Sequence, residues 1–251
     1  MGKGTLYGVG VGPGDPELIT VRAMRVLRET GIVAFFAKKG EHGRARTIAA
    51  QALDPHAEML PLIYPFTVEL SARDPKYIEA MKNFYGGSAD RIASFLDLGK
   101  NVAVICEGDP LLYGSYMYLH DRLHKDYPTV VIPGISSYAG CAAAAGIPMV
   151  STDRVLSIVP GTLSETELEN RLRHADAAVI LKLGRNLAKV RRVLERLGKA
   201  EHATYFEHGT TPHQAVMPLR DKPDDASVYF SLVLVPGHDG GPYRPDEGSR
   251  A

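Results

Sequence analysis

The sequence predicts an α/β protein built from two α/β domains with mostly parallel sheets. Short β-branched runs alternate with longer segments whose apolar residues recur at helical spacing, and this alternation continues along most of the chain. A length of 251 residues suits one large or two compact domains. The composition, 45% hydrophobic and 23% charged, is that of a globular protein and excludes a disordered or fibrous chain.

The first half is predicted to contain strand 6–11, helix 16–28, strand 32–36, two helices within 74–98 that break at Gly86-Gly87, strand 102–106, helix 115–125, strand 129–132 and helix 136–145. The second half is predicted to contain strand 156–159, helix 165–175, strand 178–183, helix 187–197 and strands 204–206 and 228–235. The polar stretch 125–128 predicts a boundary between domains 1–127 and 128–236. Residues 237–251 are rich in glycine and proline and are predicted to form a disordered tail.

Charge and cysteine content narrow the possible functions. Lys plus Arg and Asp plus Glu both total 29, so no net charge attracts nucleic acid or an anionic membrane. Cys106 and Cys141 lie in apolar surroundings, which indicates no disulfide framework and a reducing compartment, the cytoplasm. No secretory signal is expected at the N-terminus, and no apolar run reaches the roughly 18 residues of a membrane span.

Glycine and polar residues follow five predicted strands, where ligands of open parallel sheets bind. The five loops are 8–16, 107–115, 133–138, 182–186 and 207–211. The first loop is not a dinucleotide fingerprint, because Pro13 or Asp15 stands where glycine is needed. Glu107 and Asp109 favour a cationic or hydroxyl-bearing ligand, since their charges repel phosphate.

Other patterns assign no catalytic group. His120 and His124 have i, i+4 spacing but no evident third ligand, so a solvated helix face is expected and no metal site is predicted. No nucleophile motif surrounds any serine or cysteine. A basic cluster follows the second strand, either as an exposed flexible loop or as an anion-binding site, and comprises Lys38, Lys39, Arg44 and Arg46.

The motifs together resemble those of the tetrapyrrole methyltransferase family. The resemblance covers residues 4–236 and rests on the loops 8–16, 107–115 and 133–137, supported by Lys182-Leu183-Gly184-Arg185 and Tyr229-Phe230-Ser231. It implies S-adenosylmethionine as the methyl donor, a tetrapyrrole of cobalamin biosynthesis as substrate, two α/β domains with the cofactor in a cleft between them, and a homodimer.

The resemblance also carries over individual residues. The implied cofactor contacts are Pro13, Glu107, Gly108, Asp109, Leu112, Ser136, Ser137, Leu183 and Gly209. The carboxylates of such a substrate call for cationic partners, and the candidate substrate contacts are Lys38, Arg44, Arg46 and Arg185, together with Tyr113. The proton acceptor, a side chain or water, stays open. The motifs are more similar to those of the family branch that uses a metal-free substrate, and a cobalt-loaded substrate is the alternative. A macromolecular substrate and a noncatalytic tetrapyrrole-binding role also stay open.

Overall fold

The computed structural model describes residues 2–66 and 74–237. The chain divides into two compact units, Met1–Ser137 and Tyr138–Ala251. This division falls after the boundary expected at 127/128, because strand β5 (Thr129–Ile132) pairs with the first strand of the first unit. Of the predicted disordered tail only Gly237 lies within the described residues, and its N–H donates to the Met149 carbonyl at 2.8 Å.

The first unit is built on a five-stranded sheet in which every pairing is parallel. Its order is β3-β2-β4-β1-β5, and the remaining strands are β1 (Leu6–Gly10), β2 (Ile32–Ala37), β3 (Glu58–Ile63) and β4 (Val102–Cys106). The carboxyl ends of β4, β1 and β5 are therefore neighbours at one edge of the sheet. This arrangement brings three of the predicted glycine-bearing loops together.

Helices cover both faces of this sheet. They are α1 (Val21–Glu29), α2 (Arg44–Ala49), α3 (Pro75–Asp97) and α4 (Tyr116–Leu123). Side chains of α3 and α4 form one hydrophobic core with Leu6 of β1, and side chains of α1 and α2 form a second core with Val9. Strand β1 is thus buried on both faces, as expected of a central parallel strand.

The second unit has a mixed five-stranded sheet of order β6-β7-β10-β8-β9. Its strands are β6 (Leu156–Pro160), β7 (Ala177–Leu181), β8 (Thr204–Glu207), β9 (Ala215–Pro218) and β10 (Ser231–Val235). Its helices are α5 (Ser137–Ala145), which begins at the last residue of the first unit, α6 (Glu165–Arg173) and α7 (Leu187–Arg196). The α/β class is confirmed. Only β6 and β7 are parallel, however, because β8 and β9 form a hairpin and β10 enters antiparallel.

The predicted break at Gly86-Gly87 is wrong, since α3 runs through both glycines. Its buried positions Met81, Tyr85 and Ile92 keep helical spacing across the pair. Glycine costs about 1 kcal/mol in a helix interior, and burial of this apolar face offsets that cost. Asp74 caps the helix by accepting the Lys76 N–H at 2.8 Å.

Two of the described strands and one of the described α-helices were not predicted. Strands β3 and β9 contain Pro61 and Pro218, and each lies at the edge of its sheet, where a missing N–H is tolerated. Helix α2 contains Arg44 and Arg46 of the basic cluster, for which an exposed flexible loop was one of the two alternatives. Within the described parts of the chain, no helix combines the length and apolarity needed to cross a membrane.

Candidate functional site

The loops that follow β1 and β4 are joined by backbone hydrogen bonds. The Val11 N–H donates to the Cys106 carbonyl at 2.9 Å, and the Gly108 N–H donates to the Gly12 carbonyl at 2.8 Å. Gly12 and Gly108 have φ values of +79° and +62°, a region that favours glycine. The opening loop and the acidic loop therefore form one connected backbone surface.

The loop that follows β5 joins the same surface through two glycines that the sequence did not single out. A Cβ on Gly134 would lie 2.1 Å from the Gly108 carbonyl oxygen, and a Cβ on Gly10 would lie 2.5 Å from that oxygen. Any other residue would force the backbones apart. The available signal was a glycine at or just after a strand end, which permits close backbone approach.

Asp109 connects the acidic loop to the loop after β5. Its Oδ1 accepts the Leu111 N–H at 2.9 Å, and its Oδ2 accepts the Gly134 N–H at 3.2 Å. Both carboxylate oxygens of Asp109 therefore accept hydrogen bonds from backbone N–H groups. Because hydrogen bonds to ionised acceptors are the stronger kind, Asp109 stabilises the relative placement of the two loops.

Glu107 connects the acidic loop to α2. Its Oε1 accepts the N–H of Ala45 in the first turn of α2 at 3.1 Å. Desolvation by the surrounding protein raises the pKa of the Glu107 carboxyl, although the residue as a whole is exposed; its own backbone N–H, the Ala45 N–H and the Arg44 charge oppose that shift. Burial also lowers the pKa of Arg44, which Glu107 opposes. Glu107 therefore links the predicted cofactor loop to a helix that carries predicted substrate residues.

The remaining predicted cofactor residues of the first unit lie on these loops. Ser136 and Ser137 approach Gly108, because a Cβ on Gly108 would lie 3.8 Å from the Ser136 Cα and the Ser137 nitrogen. Pro13 is buried in the opening loop, and Leu112 is half-buried in the acidic loop. Seven predicted cofactor contacts thus belong to three loops whose backbones touch.

The predicted substrate residues of the first unit are more dispersed. Tyr113 follows Leu112 in the acidic loop with φ +54°, and 42% of its surface is exposed. The Arg46 guanidinium lies over the Phe35 ring at 5.3 Å. Lys38 is exposed, with its ammonium 4.0 Å from a Glu41 carboxylate oxygen.

In the second unit, Leu183 and Arg185 follow β7. Leu183 is completely buried and precedes a 3-10 turn that contains Arg185. Lys182, next to Leu183, has φ +56°, and burial lowers the pKa of its ammonium. Because the whole of Leu183 is buried, its assignment as a cofactor contact stays a prediction.

Gly209 follows β8 and packs against α5. A Cβ there would lie 2.1 Å from the Cys141 Sγ, so glycine is required for this close approach. The flanking residues His208 and Thr210 have φ +47° and +64°. Left-handed backbone at non-glycine residues costs about 1–3 kcal/mol and concentrates at functional sites.

His120 and His124 contact each other at the end of α4. The His120 and His124 rings stack at 4.6 Å, and His124 Nδ1 donates to the His120 carbonyl at 2.7 Å. Across residues 2–66 and 74–237, no group of three or more His, Cys, Asp or Glu residues is placed to hold a metal ion.

Comparison with known proteins identifies the family. Residues 5–222 match the family described as Tetrapyrrole (Corrin/Porphyrin) Methylases. The chain is 49% identical over 94% of its length, and 97% of the relative's, to the precorrin-2 C(20)-methyltransferase of a Sinorhizobium species. It is 28% identical over 93% of its length, and 96% of the relative's, to the cobalt-precorrin-2 C(20)-methyltransferase of Salmonella typhimurium.

A solved structure shares the fold. The uroporphyrin-III C-methyltransferase of Thermus thermophilus, complexed with S-adenosylhomocysteine, aligns with a TM-score of 0.65 at 21% identity over 93% of this chain and 92% of that one. The family match covers most of the chain, and the Sinorhizobium relative is similar over 97% of its own length. The chain belongs to the tetrapyrrole (corrin/porphyrin) methylase family.

Proposed function

We propose that this protein is an S-adenosylmethionine-dependent C-methyltransferase that methylates precorrin-2 at carbon 20, giving precorrin-3A in cobalamin biosynthesis. The observation that carries the proposal is the 49% identity to a precorrin-2 C(20)-methyltransferase over 94% of this chain. The match covers 237 of the 251 residues and therefore extends over both units.

The residues of the first unit fit the proposed cofactor. Glu107 and Asp109 are anionic groups suited to a sulfonium or an ammonium, and Ser136 and Ser137 add hydroxyls on a loop that touches Gly108. The glycines of the three loops let their backbones pack closely together beside these side chains. We assign the cofactor contacts to Pro13, Glu107, Gly108, Asp109, Leu112, Ser136, Ser137, Leu183 and Gly209.

S-adenosylmethionine supplies an electrophilic methyl group on a positively charged sulfur. The macrocycle is the nucleophile, so the chain needs no residue that forms a covalent intermediate. Its own residues bind and orient the two reactants, and alignment contributes about 7–11 kcal/mol in well-positioned systems. The carboxylates favour the charged donor over the neutral product, which promotes exchange after transfer.

The tetrapyrrole's carboxylates require cationic or hydroxyl-bearing partners, which we assign to Lys38, Arg44, Arg46, Tyr113 and Arg185. Arg44 has the best support, because it begins α2, the helix that Glu107 holds beside the acidic loop. A guanidinium is suited to pairing with a substrate carboxylate through two parallel hydrogen bonds. With no net charge on the chain, such local groups must provide the attraction for an anionic substrate.

Methyl transfer is tested by incubating the protein with isotopically labelled S-adenosylmethionine and enzymatically prepared precorrin-2, followed by mass spectrometry. We expect a gain of one labelled methyl group per macrocycle. Binding of both compounds without transfer would favour the alternative of a noncatalytic tetrapyrrole-binding protein.

The role of the carboxylates is tested by comparing the charged donor with its neutral product. Glu107→Gln removes one charge and keeps an acceptor for Ala45, so it should weaken S-adenosylmethionine binding more than S-adenosylhomocysteine binding in calorimetric titrations. The exposed Glu79 on α3 supplies the matched control, Glu79→Gln. Equal weakening of both ligands by Glu107→Gln would remove the carboxylate from charge recognition.

The cobalt-loaded macrocycle is the second candidate substrate. The cobalt-precorrin-2 enzyme named above is 28% identical to this chain, compared with 49% for the precorrin-2 enzyme, which favours the metal-free form. His208 is the histidine of the strand-end loops that could offer cobalt an axial ligand. Parallel assays with both macrocycles decide between them. Faster turnover of the cobalt form, lost in His208→Ala, would reverse the assignment.

We also infer that the protein acts as a homodimer in the cytoplasm. Two buried cysteines with no disulfide between them agree with a reducing compartment.

The homodimer is tested by light scattering during size-exclusion chromatography, which measures the mass in solution. Twice the 27.3 kDa mass of the chain is expected.

A further inference from the structure

The Ser115 hydroxyl lies between two tyrosine hydroxyls. The Tyr64 and Tyr85 hydroxyl oxygens are 2.7 and 3.0 Å from the Ser115 Oγ. Tyr64 directly follows β3, Tyr85 lies within α3, and Ser115 ends the acidic loop 107–115. Three segments that are distant in sequence therefore meet at one serine side chain of the first unit.

Ser115 uses its hydroxyl in an unusual way for its position. It is the N-cap residue of α4, where a serine oxygen commonly accepts an N–H of the first helical turn. Here Ser115 has helical backbone angles, φ −70° and ψ −19°, and its side chain makes no cap hydrogen bond. The hydroxyl instead bonds to Tyr64 and Tyr85, so it attaches the end of the acidic loop to β3 and α3.

Both tyrosine rings are held by aromatic neighbours. The Tyr64 ring stacks on Phe36 with centroids 5.5 Å apart and lies 5.1 Å from Phe84. Tyr85 is 6% exposed, and its ring lies 5.1 Å from Phe84 and 4.5 Å from Tyr118. Such packing fixes the rings, so their hydroxyls present a preorganised pair of partners to Ser115.

The acidic loop is thereby attached at both ends. Asp109 holds its first half to Gly134, and Ser115 holds its last residue to the two tyrosines. The segment between them contains Leu112 and Tyr113, and Tyr113 has the left-handed φ of +54°. A conformation of this kind persists where the surrounding structure holds it in place.

We propose that Ser115, held by Tyr64 and Tyr85, is a positioning residue that sets the conformation of Leu112 and Tyr113 and thereby the affinity of the acidic loop for the methyl donor. This inference rests on the proposed function, because Leu112 is assigned there to the cofactor. The hydroxyl group of Ser115 acts through the loop and does not itself touch the reactants.

The inference is tested by calorimetric titration with S-adenosylhomocysteine and by steady-state kinetics. Ser115→Ala should raise the Kd about tenfold, the change expected when hydrogen bonds that hold a binding loop are lost. Tyr64→Phe and Tyr85→Phe, which each leave one partner in place, should raise it less. Ser115→Thr keeps the hydroxyl and should bind as the wild type does. In each weakened variant KM for the donor should rise while kcat at saturating donor stays within about twofold.

Tyr118→Phe is the matched control, because Tyr118 packs on Tyr85 and is 48% exposed. It should leave the Kd unchanged. Wild-type affinity in Ser115→Ala, or equal weakening by Tyr118→Phe and Tyr64→Phe, would overturn the positioning role while the proposed function stands. Failure of the wild-type protein to bind S-adenosylhomocysteine would instead overturn the proposed function itself.

Discussion

Replacing Asp109 should lower both the stability of the first unit and its affinity for the methyl donor. The carboxylate accepts the Leu111 N–H at 2.9 Å and the Gly134 N–H at 3.2 Å. A hydrogen bond to a charged group contributes about 1.5–3 kcal/mol, and solvent access around the half-buried Asp109 favours the lower end. Asp109→Ala should therefore reduce the free energy of unfolding by about 3 kcal/mol, whereas Asp109→Asn, which keeps one acceptor oxygen, should lose about half as much.

Urea denaturation followed by far-UV circular dichroism measures these losses, and titration with S-adenosylmethionine measures affinity. Asp121→Ala on the exposed face of α4 is the control and should change stability by no more than about 0.5 kcal/mol. If Asp109→Ala matches that control in stability, the two hydrogen bonds do not hold the loops. If it binds the donor with wild-type affinity, Asp109 does not belong to the site.

Three further predictions follow from single contacts. Gly209→Ala should cost about 1–3 kcal/mol of stability through overpacking against the Cys141 Sγ, and adding Cys141→Ala should recover much of it in a double-mutant cycle by thermal denaturation. Desolvation raises the pKa of Glu107 above its usual value of 4.5, so at pH values between the unfolded and the native pKa the native state keeps a proton that the unfolded chain has released. The free energy of unfolding should therefore fall as pH rises through this range. Glu107→Gln should flatten that fall in urea titrations at several pH values. Arg44→Ala should raise KM for the tetrapyrrole about tenfold with donor saturating, whereas the exposed Arg22→Ala should not, and equal KM values would remove Arg44 from substrate binding.

Local sequence predicted the central strands and the positions of the loops. Strands β1, β2 and β4 are short apolar runs that are buried in the structure, and such runs are recognisable without knowledge of their neighbours. The edge strands β3 and β9 escaped prediction because proline interrupts or ends them, and only their place at a sheet edge makes that proline acceptable.

The candidate site, like the strands, could be predicted from sequence only where its signal is local. Glycine and acidic residues at a strand end are a local signal, so Gly108 and Asp109 could be named from sequence, with the family resemblance assigning their ligand. The partner of the Asp109 Oδ2, the Gly134 N–H, is 25 residues away in sequence. No local pattern indicates such a partner, because strand order decides which loops meet.

The sequence by itself determined the α/β class, the family and the glycine-bearing strand ends, because hydrophobic periodicity, turn chemistry and motifs are local properties of the chain. Tertiary structure alone decided that α3 continues through Gly86-Gly87, that the second sheet is mostly antiparallel, and that the Ser115 hydroxyl bonds to Tyr64 and Tyr85. Each of these outcomes depends on burial or pairing between distant segments, and those energies exceed the local preferences that sequence reasoning can read.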